Sequence, residues 1–308
     1  MTKYAIIGGG RVGTALSEAL LGSGVSDLEL YVRSESPSSA DEKVKTLSVQ
    51  KLATSGAEVA VIAVPDSAIQ EVSEMISSVR PNFRSVLHTS GSLSSNVLES
   101  LRGSSIAVGS IHPLISFLET KTNPDRLKGA YFCIEGDGVA VEDARALVAL
   151  VGGASIDIDA QSKPLYHAAA VMACGHVTSL FDIAVEMLSE CGMDRGIATK
   201  ALMSLTAGTI DNIRQAGIES ALTGPFQRLD SDNLERNFRE ISRHAAFAAE
   251  AYLTLGLRSL EIALRSGADA SAVATLRRRI VDLLKSKDRK STRLNSSHEW
   301  ISRMPSSA

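Results

Sequence analysis

Three glycines near the N-terminus, Gly8, Gly10 and Gly13 in "GGGRVG", follow the apolar run "KYAII" and open a stretch with apolar residues at helical spacing. Strand, glycine turn and helix in that order suit a phosphate-bearing dinucleotide. The first glycine makes the tight turn, the second lets the backbone reach a pyrophosphate, and the third lets helix and strand pack closely. The N–H groups of Arg11, Val12 and Gly13 at the helix start then face the phosphates. An acidic residue about twenty positions on would hold the ribose of NAD. Here "YVRSES" puts Arg33 and Ser34 at that point. A guanidinium and a hydroxyl suit the 2′-phosphate of NADP, so NADP is the expected cofactor and NAD the less expected one.

Further chemistry-bearing residues stand at strand ends. Val64, Pro65 and Asp66 close "AEVAVIAVPD", where backbone would meet the ribose and nicotinamide end of the cofactor. Ser90 in "HTSG" and His112 in "IHPL" follow the next two apolar runs. Ligands bind outside the carboxyl ends of parallel strands. A reductase also needs a proton donor near its working pH, and imidazole titrates there. His112 is thus read as the proton donor, with a structural role before Pro113 as the alternative, and Ser90 as a hydrogen-bond donor to the substrate oxygen. His88 lies within its strand and reads as a core histidine.

"KPLYHAAAVMACGH" adds Lys163, His167 and His176. As one helix it would turn His167 and His176 to opposite faces, and His167 is chosen for the cleft. Tyr166 is expected to pack or cap. Lys163 fits a first helical turn before Pro164; solvation is favoured over a role at the substrate. Arg228 and Asp230 follow "LTGP" and are expected to bind substrate, closing the cleft from the second domain or its dimer mate. Arg228 suits a substrate carboxylate, or else pairs with Asp230 or Glu235. The three cysteines lack metal or redox spacing, and "TSGSL" is no nucleophile elbow.

The elements that must position these groups alternate: seven apolar runs, from "KYAII" to "ASIDIDA", with helical stretches between them. The fold class is therefore α/β, a doubly wound parallel (Rossmann) sheet over residues 1–160. Beyond it, residues 161–287 are rich in alanine, leucine and serine at helical spacing, which predicts an all-α domain, a helical bundle. Residues 288–308 are expected to be an unstructured tail. Back-translated in one frame, "DRKSTRLNSSH" resembles a sequencing-library adapter.

The chain has 308 residues, with 32 basic and 35 acidic ones, so no strong field favours nucleic acid or anionic lipid. No apolar run approaches the ~20 residues that cross a bilayer. A cytoplasmic enzyme with a small-molecule substrate is expected.

Several stretches together resemble one family, the Rossmann-like proteins with a DUF2520 C-terminal domain: "IIGGGRVGTAL", "VIAVPDSAI", "VLHTSGS", "VGSIHPLISF", "KPLYHAAAVMA" and "ALTGPFQRLD". The resemblance implies a fold related to deazaflavin-dependent NADP oxidoreductases, ketopantoate reductase, pyrroline-carboxylate reductase and 6-phosphogluconate dehydrogenase. It also implies a homodimer formed through the helical domain. Three positions depart from the family pattern: Gly175 in place of asparagine, Leu229 in place of the glycine of Arg-Gly-Asp, and Asn237 in place of histidine.

Overall fold

The computed structural model describes residues 2–32, 44–118 and 124–301. It divides into two compact units, Met1–His176 and Val177–Ala308. The first contains β1 (Tyr4–Ile7), α1 (Arg11–Gly22), β2 (Leu28–Val32), β3 (Val44–Ser48), β4 (Val59–Ile62), α2 (Asp66–Val79), β5 (Ser85–His88), α3 (Glu99–Arg102), β6 (Ala107–Pro113), β7 (Tyr131–Gly136), α4 (Gly138–Leu150), β8 (Ala154–Asp157) and α5 (Lys163–Ala173). The strands form one sheet in the order β3-β2-β1-β4-β5-β6-β7-β8. The α/β class holds, with the strand order turning back on either side of β1.

Two features differ from the pattern read in the sequence. β3 is an extra strand, paired parallel to β2, beyond the seven apolar runs. β7 runs antiparallel to β6. The reason is the link between them, which among the described residues carries only a single helical turn, Pro124–Leu127. A parallel return needs a longer crossover.

Successive residues along β1 face opposite ways, as the strand pleat demands. Tyr4 and Ile6 pack with Leu16 and Leu20 of α1 and Leu147 of α4 on one face. Ala5 and Ile7 pack with Ile69 and Ile76 of α2 on the other. Strands β1, β4 and β5 are buried at every position, which is why β1 and β4 read as continuous apolar runs.

α5 belongs to the sheet unit, so the division at His176 and Val177 falls later than the expected boundary near residue 160. The side chain of Lys163 explains this, being fully buried against the sheet. The helix also breaks at Cys174 (φ −119°, ψ −75°), so His167 and His176 do not share one helix. Within Ala160–Glu190 an 18-residue window reaches a mean hydropathy of 1.6, and the stretch is long enough to cross a membrane by length and composition. Counting uninterrupted apolar residues misses it, because His167 and His176 interrupt the run.

The second unit consists of α6 (Gly175–Glu190), α7 (Arg195–Ala221), α8 (Ser231–His244), α9 (Ala249–Arg265) and α10 (Ala270–Ile301). Leu234, Leu253, Leu260, Leu276 and Ile280 form its core. α10 continues through Asp288 to Ile301, where the sequence predicts no structure. That stretch lacks glycine and proline, so nothing in it ends a helix.

Candidate active site

The glycine turn is built as its spacing predicts. Gly8 holds φ +120°, in the region that favours glycine. Its N–H donates to the Tyr31 carbonyl at 2.9 Å. A methyl group on Gly13 would lie 1.9 Å from the Gly8 carbonyl oxygen, so helix and turn can approach only without a side chain. Gly10 differs, since the nearest atom to a methyl there is the Ala63 oxygen, 4.0 Å away. The protein itself leaves that space open.

Gly10 is also the N-cap of α1, with no side chain capping the helix. Free N–H groups and the helix dipole make such an end an anion site. Beside it lies a cavity of about 590 Å³, bounded by the glycine turn, Tyr31 and Val32 of β2, Val64 and Pro65 after β4, and Ser67 of α2. Its size is that of a cofactor site, and the open space at Gly10 suits a pyrophosphate. Val12 packs partly into the core. Arg11 donates from Nη1 to the Phe117 carbonyl at 2.8 Å. Arg33 and Ser34 lie outside the described residues.

A second cluster sits where β5 and β6 end and α5 begins. Lys163, with solvation the favoured expectation, is fully buried. Its Nζ donates to the Ser90 carbonyl at 2.7 Å and to Ser110 Oγ at 3.0 Å. Burial pushes its ammonium below the ordinary lysine range, while Glu135, Cys133 and Asp66 pull the other way. Glu135 is buried and accepts from the Ser95 N–H and hydroxyl, each at 2.8 Å, tying down the segment after β5.

His112 stands in a setting that disfavours the charged ring. Burial, then the nearby Lys163 and His167, push its pKa down to about 4. The ring is neutral at pH 7, so it can only donate or accept as imidazole. Its Nδ1 lies 2.7 Å from the Tyr166 hydroxyl. His167 is adjacent, with ring centroids 6.2 Å apart, and its buried Nδ1 has no hydrogen-bond partner among the described residues. Gly91 makes that approach possible, since a methyl there would meet His167 Nδ1 at 2.6 Å and His112 Nε2 at 2.8 Å. Ser90 Oγ accepts from the N–H groups of Ser92 and Leu93 at 3.2 and 3.0 Å and lies 3.4 Å from Ser92 Oγ, so it shapes the turn. Asp66, at the start of α2, accepts from Ser92 Oγ at 2.7 Å. His88 is fully buried, as expected, and its Nδ1 accepts the Ser90 N–H at 3.2 Å.

The structure thus brings His112, Ser90, His167 and Lys163 together. Tyr166, Gly91, Cys133, Ser110 and Glu135 join them, though the sequence reading assigned them no part in the site. For Gly91 the signal was the "TSG" turn itself; the others carry none in their spacing.

Within the second unit, Arg228 is exposed. Its alternative partner Glu235 instead pairs with Arg279. Asp230 is the N-cap of α8, its carboxylate accepting the Asn233 N–H at 3.1 Å. Leu229 between them holds φ +56°. Asn237 donates to the Tyr252 hydroxyl at 3.3 Å, and Gly175 and His176 are exposed.

Residues 2–113 match the family described as a Rossmann-like domain, and residues 130–259 match the domain of unknown function DUF2520. No curated protein matches the sequence. Among solved structures, protein TM1727 from Thermotoga maritima is 23% identical with a TM-score of 0.70, over 85% of this chain and 98% of its own. BF3122 from Bacteroides fragilis, provisionally called an NADP oxidoreductase, is 23% identical with a TM-score of 0.62, over 83% and 96%. The pyrroline carboxylate reductase of Plasmodium falciparum, solved with NADP bound, is 15% identical with a TM-score of 0.56, over 85% and 98%. At these identities the likeness is one of fold.

Proposed function

Because the chain joins a Rossmann-like domain to a DUF2520 domain, we propose that it is an NADP(H)-dependent oxidoreductase acting on the C=O or C=N carbon of a small carboxylate. The carrying observation is the uncapped start of α1, where Gly10 leaves open space beside a cavity of cofactor size. Gly8, Gly10, Gly13 and the N–H groups of Arg11 and Val12 hold the pyrophosphate, and Val64 to Asp66 bound the cofactor further along. Arg33 and Ser34 are assigned to the 2′-phosphate on sequence grounds. A reduced nicotinamide supplies the hydride when bound.

The chain's own residues handle the other half of the reaction, the charge and proton at the substrate heteroatom. His112, neutral, donates a hydrogen bond to that atom. Ser90 offers a second hydroxyl donor. Lys163 brings a buried positive charge beside them, and its lowered pKa lets it release a proton nearer neutral pH than a free lysine does. His167 shapes the pocket. Arg228 from the second unit is assigned to the substrate carboxylate, with ketopantoate-like 2-keto acids and imino acids as the first substrates to try.

The working form is proposed to be a homodimer. α6 buries only Val185 and α7 only Ala198, while Met203, Leu205, Ile210 and Ile213 stand exposed along α7. Apolar faces of that extent mark protein contacts.

A non-catalytic NADP-binding dimer, a sensor or scaffold, is the second reading, favoured by the departures from the family pattern at Gly175, Leu229 and Asn237. Fluorescence titration with NADPH, followed by NADPH oxidation against a panel of 2-keto and imino acids, separates the two. Turnover that falls in His112→Ala supports the oxidoreductase. Binding without turnover on any member supports the alternative, and no binding of either pyridine nucleotide sinks both.

A further inference from the structure

We infer that Tyr166 is a positioning residue that fixes the proton of the His112 ring on Nε2. The consequence for catalysis rests on the oxidoreductase reading; the placement of the proton does not. Lys163 pins the first turn of α5 to the ends of β5 and β6 through its two hydrogen bonds. Tyr166 follows one turn later, which carries its hydroxyl over β6 and β7. There His112 and Cys133 are direct partners in the antiparallel register.

The hydroxyl meets both. It lies 2.7 Å from His112 Nδ1, the two rings meeting edge to face with centroids 5.6 Å apart. It also shares a hydrogen bond with the Cys133 side chain. One phenol proton therefore has two neighbours. A phenol is a stronger donor than a thiol, and an imidazole nitrogen is a stronger acceptor than sulfur. The strong pair therefore forms from phenol to Nδ1, and the sulfur is the weaker of its two neighbours.

Burial keeps the phenol proton in place. It pushes both the Tyr166 phenol and the Cys133 thiol up, so neither ionises near neutral pH. The groups facing His112 are Lys163, His167 and His88, which disfavour a cationic ring, and Asp66, which favours one. The balance leaves the ring neutral with one proton, and Nδ1 is occupied as an acceptor. That proton stands on Nε2, the nitrogen facing the corner that Gly91 keeps clear beside His167.

His112 so held presents an N–H and no lone pair. It can polarise an oxygen or nitrogen that gains charge during reduction, and it cannot act as the base that removes a proton. The opposite tautomer would have the opposite competence. Tyr166 thereby selects which half of acid–base chemistry His112 can perform.

Long-range proton–nitrogen correlation spectra of the free protein with labelled histidine, at pH 7.5, read the tautomer directly. His112→Gln identifies the resonance. The expected wild-type pattern is protonated Nε2, unchanged in Cys133→Ala and shifted towards a mixture of tautomers in Tyr166→Phe. Protonated Nδ1 in the wild type, or a Tyr166→Phe pattern identical to it, overturns the inference. Should Tyr166→Phe fail to fold, the wild-type spectrum alone decides the direction. NADPH binding is measured separately, so its failure would sink the functional reading while leaving the tautomer result standing.

Discussion

The Nζ of Lys163 donates to the backbone carbonyl of Ser90 at 2.7 Å, joining the first turn of α5 to the segment after β5. This bond makes the buried lysine both an anchor and a charge in the proposed site. Lys163→Met keeps the length of the stem and removes the charge. It leaves the Ser90 carbonyl and the Ser110 hydroxyl without their donor, about 1–3 kcal/mol each, but it also removes the cost of burying an ammonium. The variant is expected to fold, with urea stability within about 3 kcal/mol of wild type, and to lose roughly 100-fold or more in turnover of any substrate found. An unaltered rate would remove Lys163 from the chemistry.

Gly10 and Gly13 lie three residues apart and should respond to alanine in opposite ways. At Gly13 the added methyl would sit 1.9 Å from the Gly8 oxygen, and that backbone cannot move without opening the turn. Loss of several kcal/mol, on the order of 3 or more, is expected as in severe overpacking. At Gly10 the methyl meets nothing closer than 4.0 Å, so the melting temperature should hold while NADPH affinity drops. Thermal melts and fluorescence titrations of both variants check the pair. Equal nucleotide affinity in Gly10→Ala and wild type would argue against a pyrophosphate at this turn.

The histidines make stability depend on pH. His88 is fully buried, and burial followed by the charge of Lys163 lowers its pKa from 6.5 to about 4. The unfolded chain therefore binds a proton below pH 6.5 that the folded chain refuses until about pH 4. Stability is full above pH 6.5 and falls as the pH drops through that window, by about 2 kcal/mol from His88 at pH 5. His112 acts in the same direction. Urea midpoints at pH 7.5 and pH 5 measure this, and His88→Asn should lose less across the interval than wild type. Identical pH dependence in the two proteins would contradict the assignment.

What the sequence shows and hides follows from how each feature is encoded. The glycine turn is readable because its spacing is a backbone requirement, met by Gly8 and Gly13 through positive φ and close approach. β1 and β4 are readable because burial on both faces demands unbroken apolar runs. β3 is hidden because an edge strand needs no such run. The reversal at β7 is hidden because strand direction lies in the connection rather than in periodicity. Lys163 is the instructive case. Composition says a lysine before a helix is solvated, and only the fold brings the Ser90 carbonyl and Ser110 hydroxyl within reach of its Nζ. Tyr166 and Cys133 are hidden for the same reason, meeting His112 through strand register and helix phase.

The exposed face of the helical unit gives a test of assembly. Met203 and Ile210 are each more than half exposed on α7 and seven residues apart, so they lie on one side of the helix. The wild-type chain should have the mass of a dimer by light scattering, and Ile210→Glu should shift it towards a monomer. A monomeric wild type would remove the dimer from the proposal.

Leu229 shows what the departure from Arg-Gly-Asp does. Its φ of +56° falls in the left-handed region, where a side chain costs about 1–2 kcal/mol and glycine does not pay it. The leucine side chain offsets part of this by packing beside Leu234 and Leu253. Truncation to alanine keeps the strain and loses the packing, whereas glycine loses the packing and relieves the strain. Leu229→Gly should therefore be more stable than Leu229→Ala by about 1 kcal/mol, the reverse of the order expected in a helix interior. The neighbouring cap should stay intact in both, since Asp230 reaches the Asn233 N–H through its own side chain. Asp230→Ala should cost about 1 kcal/mol by itself. Chemical denaturation of the three variants decides the matter, and an alanine variant more stable than the glycine one would show that Leu229 carries no strain.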